Sequence, residues 1–244
     1  MPIVLKGFEK LVQKAVRHYW RTLDGQGRKQ RSGNADRGGR AAVTGGKQMM
    51  GFCHLVQDVL TRNGVPAVHV FTDARLELPG YFRPTKQWDM LVVSEGQLIA
   101  ALEFKSQRGP SFGNNFNNRT EEAIGTAQDL WTAYREKAFG GQPRPWLGWV
   151  MLLEDCPKSN APVGVNEPHF KVFDEFRGAS YAKRYELLLQ RLVLEKLFDG
   201  AAFLMATDRQ GRKDVYVEPA TDLGMRSFLT ALTGHAMAFK AGRS

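Results

Sequence analysis

Cysteine is scarce in this chain: there are two among 244 residues, Cys53 and Cys156. That is too few for a disulfide framework or a four-thiolate zinc site, and a reducing cytoplasm is the expected setting. Acid is short relative to base. The 25 Asp and Glu face 34 Lys and Arg, for a formal net charge of +9 and a pI near 9.7. Such a surface attracts a polyanion, although a basic protein without any nucleic-acid role has the same pI. No long uncharged apolar run exists, so no membrane span is expected. The first residues carry no apolar run behind their charges, so no secretion signal is expected either, and the location expected is the cytoplasm. No internal repeat is visible, which excludes solenoids and propellers.

What is present is a globular composition, 43% hydrophobic. It suffices for the core of one α/β domain over 1–244. Residues 5–23 carry an apolar stripe (Phe8, Leu11, Val12, Ala15, Val16, Tyr19) and read as an amphipathic helix. Residues 24–51 read as a basic, glycine-rich loop, in which Arg28, Lys29, Arg31, Arg37, Arg40 and Lys47 face Asp36 alone over 25–51. A helix is expected over 48–64, ended by Asn63-Gly64, and a strand over 67–72. Beyond the centre of the chain come a helix over 119–139, a buried strand over 146–153 and an irregular excursion over 154–179. A helix over 181–198 capped by Ser180, strands at 201–206 and 215–217, and a last helix capped by Thr221 complete the chain, with a frayed tail at 240–244.

The stretch from Lys86 to Gln107 organises the rest. Trp88 to Val93 is an apolar strand, Ser94-Glu95-Gly96-Gln97 is turn chemistry, and Leu98 to Lys105 is the return strand. In an antiparallel hairpin the start of one strand lies beside the end of the other, so Asp89 meets Glu103. Glu103 and Lys105 are two apart and leave by one face. Two carboxylates of hard oxygens suit Mg²⁺, with the Phe104 carbonyl as a further ligand. The metal would make bound water a better nucleophile on a phosphate, and Lys105 would orient that water or stabilise the developing charge. A surface hairpin ending in ordinary strand-end charges has the same short pattern.

The residues after this hairpin are rich in amide and guanidinium donors: Gln107, Arg108, Asn114, Asn115, Asn117, Asn118 and Arg119. Asn and Gln pair with adenine, and Arg with guanine, in the major groove. Four asparagines within five residues favour turns over helix, so a DNA-reading loop is expected, with Asn118 and Glu121 forming a capping box for the helix behind it. The basic loop at 24–51 is suited to DNA phosphates. His169, Lys171 and Arg177 are candidates for DNA or for a second subunit. Glu9, Glu77 and the pair Glu154-Asp155 are lesser candidates for the site, each more simply read as a solvated charge.

Asp89 with Glu103-Phe104-Lys105 resembles the PD-(D/E)xK nuclease core, with Trp88 where the family name has proline. More narrowly, the chain is similar to the XhoI-type type II restriction endonucleases. The likeness lies in Ala42-Val43-Thr44-Gly45-Gly46-Lys47 with Gly51-Phe52, in the hairpin, and in Ser111 to Glu122. It implies a mixed sheet with a central catalytic hairpin between helices, with Asp89, Glu103 and Lys105 catalytic. It also implies Mg²⁺-dependent cleavage of double-stranded DNA at a palindrome, CTCGAG, leaving 5′ extensions. A palindrome implies a homodimer, and a restriction enzyme implies a cognate DNA methyltransferase in the same cell. Two rivals share the motif: a repair or junction-resolving nuclease, and a DNA-binding protein with an inactive nuclease fold.

Overall fold

A computed structural model describes residues 2–31, 47–208 and 213–241, with the backbone alone for 27–31 and 240–241. The expected hairpin forms. Strand β4 (Met90–Ser94) pairs antiparallel with β5 (Gln97–Gln107), and Met90 faces Leu102. The turn between them places Glu95 at φ 50° and Gly96 at φ 73°. Two successive positive φ values match the right-handed twist of the strands, which is why glycine serves there.

Around this hairpin a six-stranded mixed sheet assembles in the order β1-β4-β5-β6-β7-β8. Its other members are β1 (Val70–Phe71), β6 (Trp146–Glu154), β7 (Gly200–Ala206) and β8 (Tyr216–Val217). Strands β5, β6 and β7 run parallel. Both faces of these central strands are covered, and β6 and β7 are accordingly apolar almost throughout. One face carries α1 (Phe8–Arg31), α2 (Met50–Arg62) and α6 (Met225–Ala241), packed on Leu102, Phe104, Val150 and Leu204. The other carries α3 (Phe112–Arg135) and α5 (Tyr181–Leu194), packed on Ala101, Trp149, Met151 and Phe203, with the one-turn α4 (Pro157–Asn160) between them in the chain. A Cβ added to Gly51 would lie 2.9 Å from the Ala15 Cα, so glycine lets α2 close on α1. A separate two-stranded sheet, β2 (Glu77–Pro79) with β3 (Thr85–Gln87), leads into β4. Among the described residues no helix is long and apolar enough to cross a membrane.

Several expectations need correction. The first helix does not stop at Leu23 but runs on to Arg31. Arg28, Lys29 and Arg31 therefore stand on a helix, where Arg, Lys and Gln are good formers that outweigh two glycines. Arg37, Arg40 and the Ala42 to Gly46 segment lie outside the described residues, as do most of the turn after Asp208 and the last three residues. The strand expected over 67–72 is a 3-10 turn, Ala67–His69, followed by the short β1.

The asparagine-rich segment is not a loop. Helix α3 begins at Phe112, seven residues before the expected start, and no Asn118 capping box forms. Phe112 is buried and stacks 5.6 Å from Tyr181, while Phe116 meets Tyr185 edge-on at 5.1 Å. Anchoring two aromatic rings outweighs the few tenths of a kcal/mol per residue by which asparagine disfavours helix. The last helix is capped not by Thr221 but by Glu218, whose Oε1 accepts from Met225 N at 2.8 Å. Thr221 opens a 3-10 turn instead. Ser180 caps α5 as expected, its side chain accepting from Lys183 N at 3.2 Å.

Candidate active site

The alternation of β5 sorts its residues. Leu102 and Phe104 enter the core under α1 and α2. Glu103, Lys105 and Gln107 leave by the opposite face, toward α3 and α5. At the register position where β4 begins, Asp89 lies against Glu103, and its Oδ2 accepts from Phe104 N at 2.8 Å. A strand residue sends its N–H and C=O out by the same edge, so the Phe104 carbonyl also faces Asp89.

Glu103 is the deepest group of the cluster, 1% exposed. The Lys105 ammonium lies 2.5 Å from Glu103 Oε2, 3.6 Å from Asp89 Oδ2 and 3.0 Å from Glu122 Oε1. One cation thus bridges three carboxylates, from the residue just before β4, from β5 and from α3. Glu122 is held in turn by Arg119, one turn back on α3. A second ammonium, Lys86 of β3, pairs with Glu103 Oε1.

These neighbours shift the titration of the groups. Burial and the Asp89 charge push Glu103 up to about 7, against the pull of Lys105 and Lys86. Burial alone would lower Lys105, but Glu103, Asp89 and Glu122 outweigh it and raise its pKa, so the ammonium stays charged. Burial likewise pushes Glu122 upward, and Lys105 and Arg119 more than reverse that, leaving it below the usual carboxylate range.

The cluster opens on a cleft of about 660 Å³ lined by Lys47, Gln48, Thr72, Asp73, Asp89, Lys105, Ser106 and Arg119, among others. Gln48 Nε2 donates to Ser106 Oγ at 2.9 Å, tying the start of α2 to the end of β5. Among the described residues no group of three or more His, Cys, Asp or Glu is arranged to hold a metal. Asp89 and Glu103 with the Phe104 carbonyl are the oxygen set available, with Lys105 between the two acids.

The other sequence candidates divide. Lys47 and Arg119 line the cleft. Asn114, Asn117 and Asn118 are exposed at helical spacing on the first turns of α3, Asn115 is half-buried, and Arg108 is exposed. Gln107 is turned inward, 3% exposed, with its Nε2 donating to Phe112 O at 2.9 Å and its Oε1 accepting from the Tyr185 hydroxyl. With both ends of the amide engaged in the core, Gln107 is no reader of bases. Its position two residues beyond Lys105, on the face that α5 covers, accounts for this.

Glu9 pairs with Arg226 at 2.8 Å, outside the cleft. Glu154 accepts from Gly109 N at 2.9 Å, and Asp155 Oδ1 from Asn160 at 2.8 Å. In the excursion, Arg177 is held by Glu167 and Asp174, while His169 and Lys171 are exposed. Lys86 and Glu122 are the two charged groups that the sequence reading passed over. Lys86 had one signal: it stands two residues before Trp88, on the same face of an extended strand. Glu122 had the Arg119 partner at i−3.

A family model described as Restriction endonuclease XhoI matches residues 28–218. The type II restriction enzyme BstVI of Geobacillus stearothermophilus is 53% identical over 212 residues, covering 85% of this chain and 94% of that enzyme. The type II restriction enzyme AbrI of Azospirillum brasilense is 53% identical over 173 residues, 70% of this chain and 78% of AbrI. The type II restriction enzyme XhoI of Xanthomonas vasicola is 46% identical over 199 residues, 80% of this chain and 79% of that enzyme. No solved structure matches. A model match over most of the chain, joined to relatives of this identity along 78% to 94% of their length, establishes that this chain belongs to the XhoI restriction endonuclease family.

Proposed function

We propose that this protein is a Mg²⁺-dependent type II restriction endonuclease that hydrolyses both strands of a DNA duplex at one palindrome. The observation that carries the reading is a single ammonium, Lys105, bridging Asp89 and Glu103 at the mouth of a cleft. On this reading the hairpin is a PD-(D/E)xK core, within one nuclease domain spanning 1–244.

The donor set fits the metal. Mg²⁺ keeps several waters and takes one or two carboxylates together with substrate phosphate, so Asp89, Glu103 and the Phe104 carbonyl suffice. When bound, the ion supplies a polarised phosphoryl oxygen and a more acidic water. Lys105 then orients the attacking water and stabilises the charge that grows on phosphorus. Water adds to phosphorus, one ester P–O bond breaks, and the departing oxygen takes up a proton, with no covalent intermediate on the protein. Glu122 keeps Lys105 turned into the cleft.

Backbone contacts fall to Arg28, Lys29, Arg31, Arg37, Arg40, Lys47 and Arg108, and base contacts to the α3 face bearing Asn114, Asn117 and Asn118 with Arg119 beside it. Asn115, half-buried, is the weakest member of that set. The membership of the family makes CTCGAG, cut to leave 5′ extensions, the site to test first. Each subunit of a homodimer would read one half-site, and a methyltransferase would protect host DNA.

The test is a digest of two plasmids, one with a single CTCGAG and one with that site altered, in Mg²⁺ and in EDTA. Linearisation of the first plasmid alone, in Mg²⁺ alone, is the expected result. Discrete cutting elsewhere discards the site and keeps the nuclease. Folded protein that binds both plasmids and cuts neither overturns the reading.

A further inference from the structure

Lys86 stands apart from the motif that the family resemblance supplies. It comes from β3, in the small two-stranded sheet rather than the main one. Its ammonium pairs with Glu103 Oε1 while Lys105 holds Oε2, so both oxygens of one buried carboxylate face a cation. With Asp89, Glu103 and Glu122 opposed by Lys86, Lys105 and Arg119, the ionised cluster is neutral without any metal. Resting on the metal reading above, we infer that Lys86 is a built-in competitor of the divalent cation, occupying Glu103 in the metal-free enzyme and releasing it when the ion binds.

The two lysines are held very differently. Three carboxylates surround the Lys105 ammonium, and one faces Lys86. An incoming divalent cation therefore displaces the less tightly held charge. Lys86 also has somewhere to stay. Its Nζ donates to Gln87 O at 2.8 Å and lies 4.4 Å from the centre of the Trp88 ring. A carbonyl and a ring face keep the ammonium partnered after Glu103 turns to the ion. A lysine is suited to this, since its ammonium rides on a flexible stem and makes no fixed fork with the acid. Two ligands that exclude one another on a shared group are coupled, and removing one strengthens the other.

The experiment is a calorimetric titration of Mg²⁺, and separately Mn²⁺, into DNA-free protein: wild type, Lys86→Gln and Lys86→Arg. Lys86→Gln removes the competing charge and should bind the ion about tenfold more tightly. Lys86→Arg places a two-pronged cation on the same carboxylate and should bind it several-fold more weakly. The melting temperature adds a readout independent of cleavage: the rise between EDTA and saturating Mg²⁺ should be larger for Lys86→Gln than for wild type. If Lys86→Gln fails to fold, the comparison of Lys86→Arg with wild type decides. Wild-type binding of the ion with unchanged affinity in Lys86→Arg, or equal or weaker affinity in folded Lys86→Gln, overturns the competitor alone. A wild-type protein that takes up no divalent cation overturns the competitor and the metal reading together.

Discussion

Glu103 and Asp129 are both buried carboxylates, 1% and 3% exposed, and their pKa values move in opposite directions. Asp129 sits on α3 facing the turn between β2 and β3. Its Oδ1 accepts from Tyr81 N at 2.7 Å and Phe82 N at 2.9 Å, and its Oδ2 from Arg83 Nε at 2.6 Å. The turn closes so tightly on the acid that a Cβ on Gly80 would lie 2.7 Å from Oδ2. Burial pushes its pKa up, but these three donors more than reverse the shift. Glu103 has flexible ammonium partners instead, shares one of them with two other acids, and ends with its pKa raised. Fixed donors settle a buried charge permanently and leave nothing for a ligand. Movable counter-ions leave a carboxylate that still gains from a proton or a cation, as the metal role proposed for Glu103 requires.

That contrast can be broken most directly at Glu103. Glu103→Gln should lower DNA cleavage by about a thousandfold while the protein still binds DNA. Cleavage within tenfold of wild type would remove Glu103 from the chemistry. Asp129→Asn should leave the chemistry in place and act through folding.

The next test is pH, because the signs differ. Glu103 is raised from 4.5 to about 7 in the folded protein, so folding favours its protonated form. The stability this provides is full below 4.5 and is lost as pH rises through 7, on the order of 3 kcal/mol for so buried a group. Denaturant unfolding in EDTA across that range should show the loss, and Glu103→Gln should abolish it. Divalent-ion affinity should climb over the same range, because the ion needs the carboxylate. Asp129, lowered from 3.8, contributes stability that is present above that value and lost as pH falls through the lowered one.

Asp129→Asn itself should cost about 2 kcal/mol, since two backbone N–H groups and a guanidinium lose a charged acceptor. In a chain of this size that is a fall in melting temperature of roughly 4–8 °C, read by calorimetry. A variant as stable as wild type would mean that the turn does not depend on the acid. The smallest effects belong to the exposed asparagines of the same helix. Asn117→Ala and Asn118→Ala should each weaken binding to the cognate duplex by about 1 kcal/mol, with stability within about 0.5 kcal/mol of wild type. Equal weakening on unrelated DNA would make them backbone contacts rather than base readers.

Much of the site's frame could be read from residue order. Alternation and a Glu-Gly turn specify the β4–β5 hairpin, and strand parity then puts Asp89 beside Glu103 with Lys105 on the same face. The crossover from β5 through α3 to a parallel β6 follows from one long helical pattern between two apolar strands. The start of α3 was not legible, because asparagine's local preference for turns is overruled by two phenylalanines whose partners, Tyr181 and Tyr185, lie far along the chain. The inward turn of Gln107 escaped for the same reason, since its amide is met by Tyr185.

By itself the sequence determined the β4–β5 hairpin, its register and the three charged residues proposed as catalytic, because those depend on contacts within one short span and on the two-residue period of a strand. Only the tertiary structure decided which other charges join the cluster. Lys86 reaches Glu103 from a separate sheet, and Glu122 reaches Lys105 across the gap between helix and strand. It also decided that one buried acid is satisfied and the other poised, because a carboxylate's pKa depends on burial and on the groups that the fold brings around it, and no local pattern encodes either.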